Sequence, residues 1–306
     1  MRLPLAPLAV AALAAVVVAA TTTPGSKAAF TAHKTNAGNT ISTAADWIAP
    51  AVTLTAPADG LVTKSRTPAL SGTAGTAAGD SATVTARIYA GATAGGTAVQ
   101  TLTATGASWT ATPTALADGT YTAQASQTDG GGNTGRSATR TFTVDTTAPK
   151  PVSVSATDGG TTPGRLGAGD TITFTYDDVI DPASVFPGWD GSSVAMQVHF
   201  ANVSGGDTFT LQTSAGATTI NLESGVNTSA DLVSGAVNVT ARMSRSANGR
   251  SFAVVLDAPT GGRIVTTPNT AKNMAWTAKA GPVDRAGNAL VVPGSPVTET
   301  DNDVDF

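Results

Sequence analysis

The sequence contains no cysteine among its 306 residues. This absence excludes disulfides, thiolate metal ligands, cysteine nucleophiles and a lipoprotein anchor. Charged residues make up only 12% of the chain, and glutamate occurs only at Glu223 and Glu299. Because glutamate and lysine are good helix formers, their scarcity argues against helical domains. Valine and threonine are abundant, and both favour pleated strands. We therefore predict an all-β chain.

Basic clusters and histidines are also scarce. The net charge is −4 and the pI is about 5.0, so we expect no nucleic-acid partner. The histidines are His33 and His199, too few for Ser–His or Cys–His nucleophilic sites. Asp177, Asp178 and Asp181 share one turn, where solvated loop acids are expected rather than a glycosidase pair. We predict no catalytic residues and no enzyme activity.

The first 28 residues have the organisation of a secretory signal peptide. Arg2 supplies the positive charge, an apolar run follows from Leu3 to Ala20, and small residues favour cleavage after Ala28. Cleavage after Ala20 is an alternative. An uncleaved leader is another, because the 18-residue run just reaches the length that spans a bilayer. The protein is expected to be secreted or on the cell surface, and membrane-anchored by its N-terminus if the leader stays uncut.

The segment 29–48 follows the leader as a linker. It carries Ala29-Phe30-Thr31-Ala32 and then Asn36-Ala37-Gly38-Asn39-Thr40. These residues resemble the start of mature camelysin and TasA-type matrix proteins, whose leaders are cut by a SipW-type signal peptidase. A Thr/Ala-rich linker of similar composition is the alternative.

Two signatures occur twice and in the same order along the chain. The first is a proline-stopped linker followed by a short alternating strand, at Asp46–Pro50 and at Asp145–Pro149. The second is a glycine-rich turn, at Asp129–Asn133 and at Asp284–Asn288. Aspartate and asparagine can bond the nearby backbone in such turns, and glycine permits a left-handed conformation. The repeat predicts two modules, at 49–147 and 148–306.

The first module shows short runs that alternate with period two, as half-buried strands do. Trp109 is the expected core aromatic. The predicted strands are Val52–Thr55, Pro68–Gly72, Ala82–Ala90, Thr97–Thr103, Ser108–Thr112, Thr120–Gln127 and Ala138–Val144.

The stretch Leu116–Tyr121 makes the family resemblance of this module specific. Together with the Asp129–Asn133 turn and the Asp145–Pro149 linker, it resembles the bacterial immunoglobulin-like modules of large surface adhesins. The resemblance implies that Tyr121 forms a tyrosine corner, with its ring buried and its hydroxyl bonded to the turn.

The second module carries an alternating strand, Thr171–Tyr176, that leads into the acidic turn Asp177–Pro182. This arrangement resembles other bacterial Ig-like domains. The module lacks a tyrosine-corner motif and exceeds the usual length by about 50 residues, so loop insertions are expected. Further strands are predicted at Val194–Phe200, Thr208–Thr213, Ala236–Met243 and Ser251–Leu256. The predicted fold is tandem immunoglobulin-like β-sandwiches behind an N-terminal signal peptide.

The same resemblance implies a calcium site at the junction of the modules, because such modules use aspartates of the linker and of the glycine-rich turn. The matching positions are Asp129 and Asp145, which offer the oxygen ligands that Ca²⁺ prefers. The alternative is that these aspartates only cap turns. Asn133, Gly287 and Asn288 are expected to be structural turn residues. No other cofactor is predicted.

These features predict a secreted or cell-surface structural or adhesive protein that contacts other extracellular proteins or surface polymers. A membrane contact is expected only if the leader is uncleaved. An alternative is a carbohydrate- or ligand-binding protein that uses the second module, with an exposed Trp189 or Trp276 as a stacking platform.

Overall fold

The computed structural model describes residues 47–159, 163–214, 220–260, 264–265 and 272–300. Nearly all regular structure in these residues is β, which confirms the predicted fold class. The predicted leader, most of the 29–48 linker, His33 and residues 301–306 lie outside the described residues. No helix within the described ranges is long and apolar enough to cross a membrane.

Eight strands form the first module. They are β1 (Leu61–Thr63), β2 (Leu70–Thr73), β3 (Asp80–Ala90), β4 (Gln100–Thr105), β5 (Ser108–Ala111), β6 (Gly119–Asp129), β7 (Thr134–Arg136) and β8 (Arg140–Val144). In β3 the side chains of Val84, Ala86 and Ile88 are buried, whereas Thr85 and Arg87 between them are half-buried on the opposite face. The sequence period thus sets which face of each strand enters the core.

The first module is a sandwich of two sheets. The larger sheet has the order β1-β8-β6-β3-β4, and β7 pairs with the end of β6. The smaller sheet pairs β2 with β5, and residues 53–56 bond to β2 through their backbone. Leu70 and Trp109 of the smaller sheet share one buried cluster with Ile88 and Phe142 of the larger sheet. Apolar packing between the sheets therefore holds the module together without a disulfide.

Gly72 allows the smaller sheet to pack closely. A Cβ atom at this position would lie 2.0 Å from the Thr53 carbonyl oxygen and 3.0 Å from Cζ2 of Trp109. The glycine therefore makes room for both the neighbouring backbone and the core tryptophan.

The second module begins after the linker, and its described residues form nine strands and a four-residue helix. The strands are β9 (Pro151–Thr157), β10 (Thr171–Tyr176), β11 (Val194–Ala201), β12 (Thr208–Thr213), β13 (Glu223–Asn227), β14 (Val237–Arg245), β15 (Ser251–Leu256), β16 (Ala275–Ala278) and β17 (Val297–Thr298). The helix α1 (Pro182–Val185) begins at the N-cap Asp181, whose side chain accepts a bond from the Ala183 amide.

These nine strands join in one antiparallel sheet with the order β17-β16-β13-β12-β11-β14-β15-β10-β9. The sheet curls so that its two edge strands, β17 and β9, lie beside each other. The curl encloses one core, in which Trp276 of β16 packs edge-on against Phe174 and Tyr176 of β10 at ring distances of 5.1 and 5.3 Å.

Glu299 links the two edges of this sheet. Its buried carboxylate accepts hydrogen bonds from the Ala156 amide in β9 and the Met274 amide beside β16, each at 3.0 Å. One side chain that follows the edge strand β17 thus satisfies an N–H group of the other edge strand, β9, and one beside β16.

We expect Tyr121→Phe to lower the stability of the first module. The Tyr121 hydroxyl donates a 2.9 Å bond to the Ala117 carbonyl, and its ring stacks on Phe142. Loss of the hydroxyl should cost about 1 kcal/mol and leave the ring packing intact. Urea unfolding of the two proteins measures the difference. Tyr89→Phe is the matched control and should cost less, so an equal loss in both variants would contradict the corner role.

The buried Glu223 should make stability depend on pH. Its Oε1 accepts a 2.7 Å bond from the Leu211 amide, whereas its Oε2 is buried and has no hydrogen-bond partner among the residues that the structure describes. Burial raises the pKa of Glu223 from an ordinary 4.5 to about 7, although the Leu211 amide and Lys279 oppose the rise.

The folded state therefore holds this proton more tightly than the unfolded state. The resulting stabilisation is fully present below pH 4.5 and is lost as the pH rises through about 7. The loss amounts to about 3 kcal/mol at most. Glu223→Gln should flatten this part of the curve of unfolding free energy against pH. An unchanged decline in the variant would show that Glu223 does not cause it.

Candidate metal site at the module junction

The linker between the modules consists of residues 145–150, between the end of β8 and the start of β9. Its backbone is bonded at both ends. The Asp145 amide donates to the Thr63 carbonyl at 2.9 Å, and the Val291 amide donates to the Pro149 carbonyl at 2.9 Å. The linker therefore has an ordered path that contacts both modules.

The turn at Asp284–Asn288 lies against this linker. One carboxylate oxygen of Asp284 accepts from the Asn288 amide N–H at 2.8 Å, and the other accepts from the Asn288 side-chain amide at 2.7 Å. Gly287 has a φ of +85°, in the left-handed region that glycine adopts most readily. Residues in this turn are fixed by their own side chains.

The first module contains the same turn. The Asp129 carboxylate accepts from the Asn133 backbone N–H and from the Asn133 side chain, both at 2.8 Å, and Gly132 has a φ of +89°. The turn signature that occurs twice in the sequence thus has the same geometry in both modules.

The second turn also joins the two modules directly. Asn288 Nδ2 donates to the carbonyl oxygen of Asp145 at 2.9 Å. Lys64, which follows β1, donates its backbone N–H to Ala286 at 3.3 Å and its Nζ to the Gly287 carbonyl at 2.9 Å. The linker and the first module are therefore bonded to the same five-residue turn.

Three carboxylates converge at this point. Asp145 comes from the linker, Asp178 from the loop after β10, and Asp284 from the turn, and one oxygen of each lies within 4.8 Å of the others. Asp284 is 2% exposed, and the other two are half-buried. Within the described ranges, the recorded ion pair is Arg66–Asp118, so the cluster has no ion-pair partner there.

The negative charges in the cluster repel one another. Burial raises the pKa of Asp145, the Thr147 amide opposes this effect, and the negative charges of Asp178 and Asp284 add to the rise. A bound cation would remove this repulsion between like charges.

The donor set fits a hard cation such as Ca²⁺. Calcium binds oxygen at about 2.3–2.6 Å, so two oxygens on one ion are separated by about 5 Å at most. The three carboxylate oxygens meet this limit. Asp145 and Asp178 each use one oxygen for a backbone amide, of Thr147 and Val179 respectively, which leaves the other oxygen for a ligand.

The structure does not bring the predicted ligand pair together. Gly119 at the start of β6 pairs with Val144, whereas Asp129 ends the same strand. Ten residues of extended strand separate these positions by about 33 Å. Asp129 therefore lies at the far end of the module from Asp145, and the carboxylates near Asp145 are Asp178 and Asp284 instead.

Sequence reasoning did not assign Asp178 and Asp284 to the site. The sequence pattern indicates a solvated loop acid at Asp178 and only a turn residue at Asp284. The repeated signatures could have indicated the correct pair, if each glycine-rich turn had been matched with the linker at the start of its own module. The turn at the end of a module lies beside the linker that precedes the same module, so Asp284 pairs with Asp145.

The structure places the two candidate stacking tryptophans in the core of the second module. Trp189 is 6% exposed and Trp276 is 0% exposed. Their indole N–H groups donate to the carbonyls of Ser192 and Leu222. Neither ring presents a face to a ligand, so the predicted stacking platform is wrong.

Comparison with known proteins finds a family similarity in the first module. Residues 53–146 match the family model described as a bacterial Ig-like domain. No curated protein matches the chain significantly. Among solved structures, the chain is similar to fibronectin(III)-like modules of CbhA from Clostridium thermocellum, at 16% identity and a TM-score of 0.29. That similarity covers 69% of this chain and 94% of the other, and a TM-score this low does not establish a shared fold.

The two equivalent asparagines provide a test of the junction. Asn288→Ala removes the side-chain bonds to the Asp284 carboxylate and to the Asp145 carbonyl, whereas Asn133→Ala removes the equivalent side-chain bond to Asp129 in the first module. We expect each variant to lose about 1–3 kcal/mol, because buried acceptors lose a donor. Hydrogen exchange should show faster exchange of the Asp145–Lys150 amides in Asn288→Ala alone. Equal exchange in both variants would contradict the junction role.

Proposed function

We propose that this protein is a secreted or cell-surface structural and adhesive protein, in which Ig-like modules hold binding surfaces at a defined spacing. The match of residues 53–146 to bacterial Ig-like domains supports a surface or structural module. The partners are other extracellular proteins or surface polymers.

The ordered junction is the observation that carries this proposal. A flexible tether needs no specific contacts, whereas Asn288, Lys64 and Val291 bond the linker and both modules together. A fixed junction transmits the orientation of one module to the next, which is what a spacer requires.

Calcium completes the junction in this proposal. The ion binds Asp145, Asp178 and Asp284, and water or backbone carbonyls supply its remaining oxygens. The aspartates that cap turns in the unbound protein are also the ligands. Because the ion binds ionised carboxylates, calcium binding should weaken at low pH.

The calcium proposal predicts a change in thermal stability. At a calcium concentration 100-fold above Kd, the folded state should gain about 2.7 kcal/mol relative to the protein in chelator. Asp178→Asn should remove most of this gain. Asp257→Asn, which changes an exposed aspartate outside the cluster, is the control and should retain it. Equal melting temperatures in calcium and in chelator would contradict the calcium proposal and would indicate that the aspartates only cap turns.

The location of the protein is tested in the producing cells. We expect an antibody to detect the protein in the medium or at the surface of intact cells, and protease added outside to digest it. N-terminal sequencing of each fraction distinguishes cleavage after Ala28, cleavage after Ala20 and an uncut leader. Protein confined to the cytoplasm would contradict the proposed role.

A further inference from the structure

The outer face of the larger sheet in the first module carries a polar cleft. The cleft has a volume of about 330 Å³ and lies over β3, β6 and β7. Its lining combines hydroxyl side chains with two guanidinium groups and contains no aromatic residue. The lining residues are Ser81, Thr83, Thr85, Arg87, Ser126, Gln127, Thr128, Thr134 and Arg136.

The two arginines are available to a ligand. Arg87 makes one long contact, from Nη1 to the Ser126 hydroxyl at 3.4 Å. Arg136 is exposed, and its guanidinium has no recorded hydrogen bond to the part of the chain that the structure describes. Neither arginine belongs to the ion pair recorded among the described residues, which joins Arg66 to Asp118.

No carboxylate competes for these arginines within the cleft. Asp80 and Asp129 are the acidic residues at the ends of β3 and β6, and both are engaged elsewhere. Asp80 accepts a bond from the Ala77 amide at 2.9 Å, and Asp129 is 8% exposed and bonded to Asn133. The cleft is therefore a positive area on a protein with a net charge of −4.

The strand register fixes the spacing of the two charges. Arg136 pairs with Ser126, and Ser126 pairs with Thr85, which is two residues from Arg87. Two strand spacings and two residue rises place the arginine Cα atoms about 12 Å apart. Hydroxyl groups occupy the surface between them.

We propose that this cleft binds an acidic polysaccharide through the carboxylates of its uronic acid units. Each guanidinium can hold one carboxylate with two parallel hydrogen bonds. The threonine and serine hydroxyls between the arginines can donate to and accept from sugar hydroxyls. A small anion would use one arginine, whereas a polymer with a carboxylate on successive units uses both.

The chemistry of the cleft favours such a polymer over single-stranded nucleic acid. Proteins that bind single strands stack the bases on aromatic side chains, and the cleft lining has none. The surface hydroxyls instead match a ligand that is itself rich in hydroxyls. The inference rests on the proposed surface role and adds a class of partner to it. Polysaccharide binding is measured on purified protein and location is measured in cells, so either proposal can fail without the other.

The test is the binding of the purified chain to immobilised polygalacturonate at 0.15 M salt with a chelator present. The chelator prevents calcium from bridging the polymer to Asp145 and its neighbours. We expect binding to polygalacturonate and none to its fully methyl-esterified form, which has the same backbone without free carboxylates.

Variants assign the binding to the cleft. The double variant Arg87→Gln, Arg136→Gln should bind at least about tenfold more weakly, because two charge-assisted contacts are lost. Arg242→Gln removes an exposed, strand-borne arginine of the second module and should bind as the unchanged protein does. Should the double variant fold poorly, Arg136→Gln alone tests the exposed arginine, and an unaltered melting temperature confirms its fold.

Three results would overturn the proposal. The first is no binding to polygalacturonate under these conditions. The second is an equal loss in Arg242→Gln and in the double variant, which would indicate general attraction to the whole chain. The third is tighter binding to dextran sulfate or single-stranded DNA than to polygalacturonate, which would indicate a site for polyanions in general.

Discussion

The bond between the Asp284 carboxylate and Asn288 is the constraint on which the arrangement of the two modules depends. It fixes a five-residue turn, directs the Asn288 side chain to the Asp145 carbonyl, and presents the Ala286 and Gly287 carbonyls to Lys64. The same bond holds Asp284 where Asp145 and Asp178 also converge. The Asp284 carboxylate therefore both closes the turn and contributes to the candidate metal site beside the linker.

Buried carboxylates play a comparable part elsewhere in a chain without disulfides. Asp207 is 1% exposed and accepts hydrogen bonds from the Leu232 and Val233 amides, each at 2.6 Å. Glu299 connects the two edges of the curled sheet through the amides of Ala156 and Met274. Charge-assisted bonds to amides are stronger than neutral ones, so a few acids can fix loops and edges that apolar packing leaves open. Although the sequence has few charged residues, individual acidic side chains have specific structural roles.

Much of the strand structure could be predicted from local alternation. The predicted strands at Thr171–Tyr176, Thr208–Thr213 and Ser251–Leu256 have the bounds of β10, β12 and β15. Alternation did not identify β1, β7 and β17, which have two or three residues, or β13 and β16, which have five and four. Such short strands have no readable period. Whether such a segment forms a strand depends on the strand that it pairs with. For example, β1 pairs in parallel with β8, which lies about 80 residues further along the sequence.

The sequence by itself determined the all-β class, the repeated turn and linker signatures, and which strand faces enter the cores, because these depend on neighbours close along the chain. Only the tertiary structure decided which aspartates meet. The length of β6 separates Asp129 from Asp145, and the folding of the second module brings Asp178 and Asp284 to the linker. It also decided that Trp189 and Trp276 are buried, and that Arg87 and Arg136 share one cleft. Distances between residues far apart in sequence are set by sheet order and register, which local patterns do not encode.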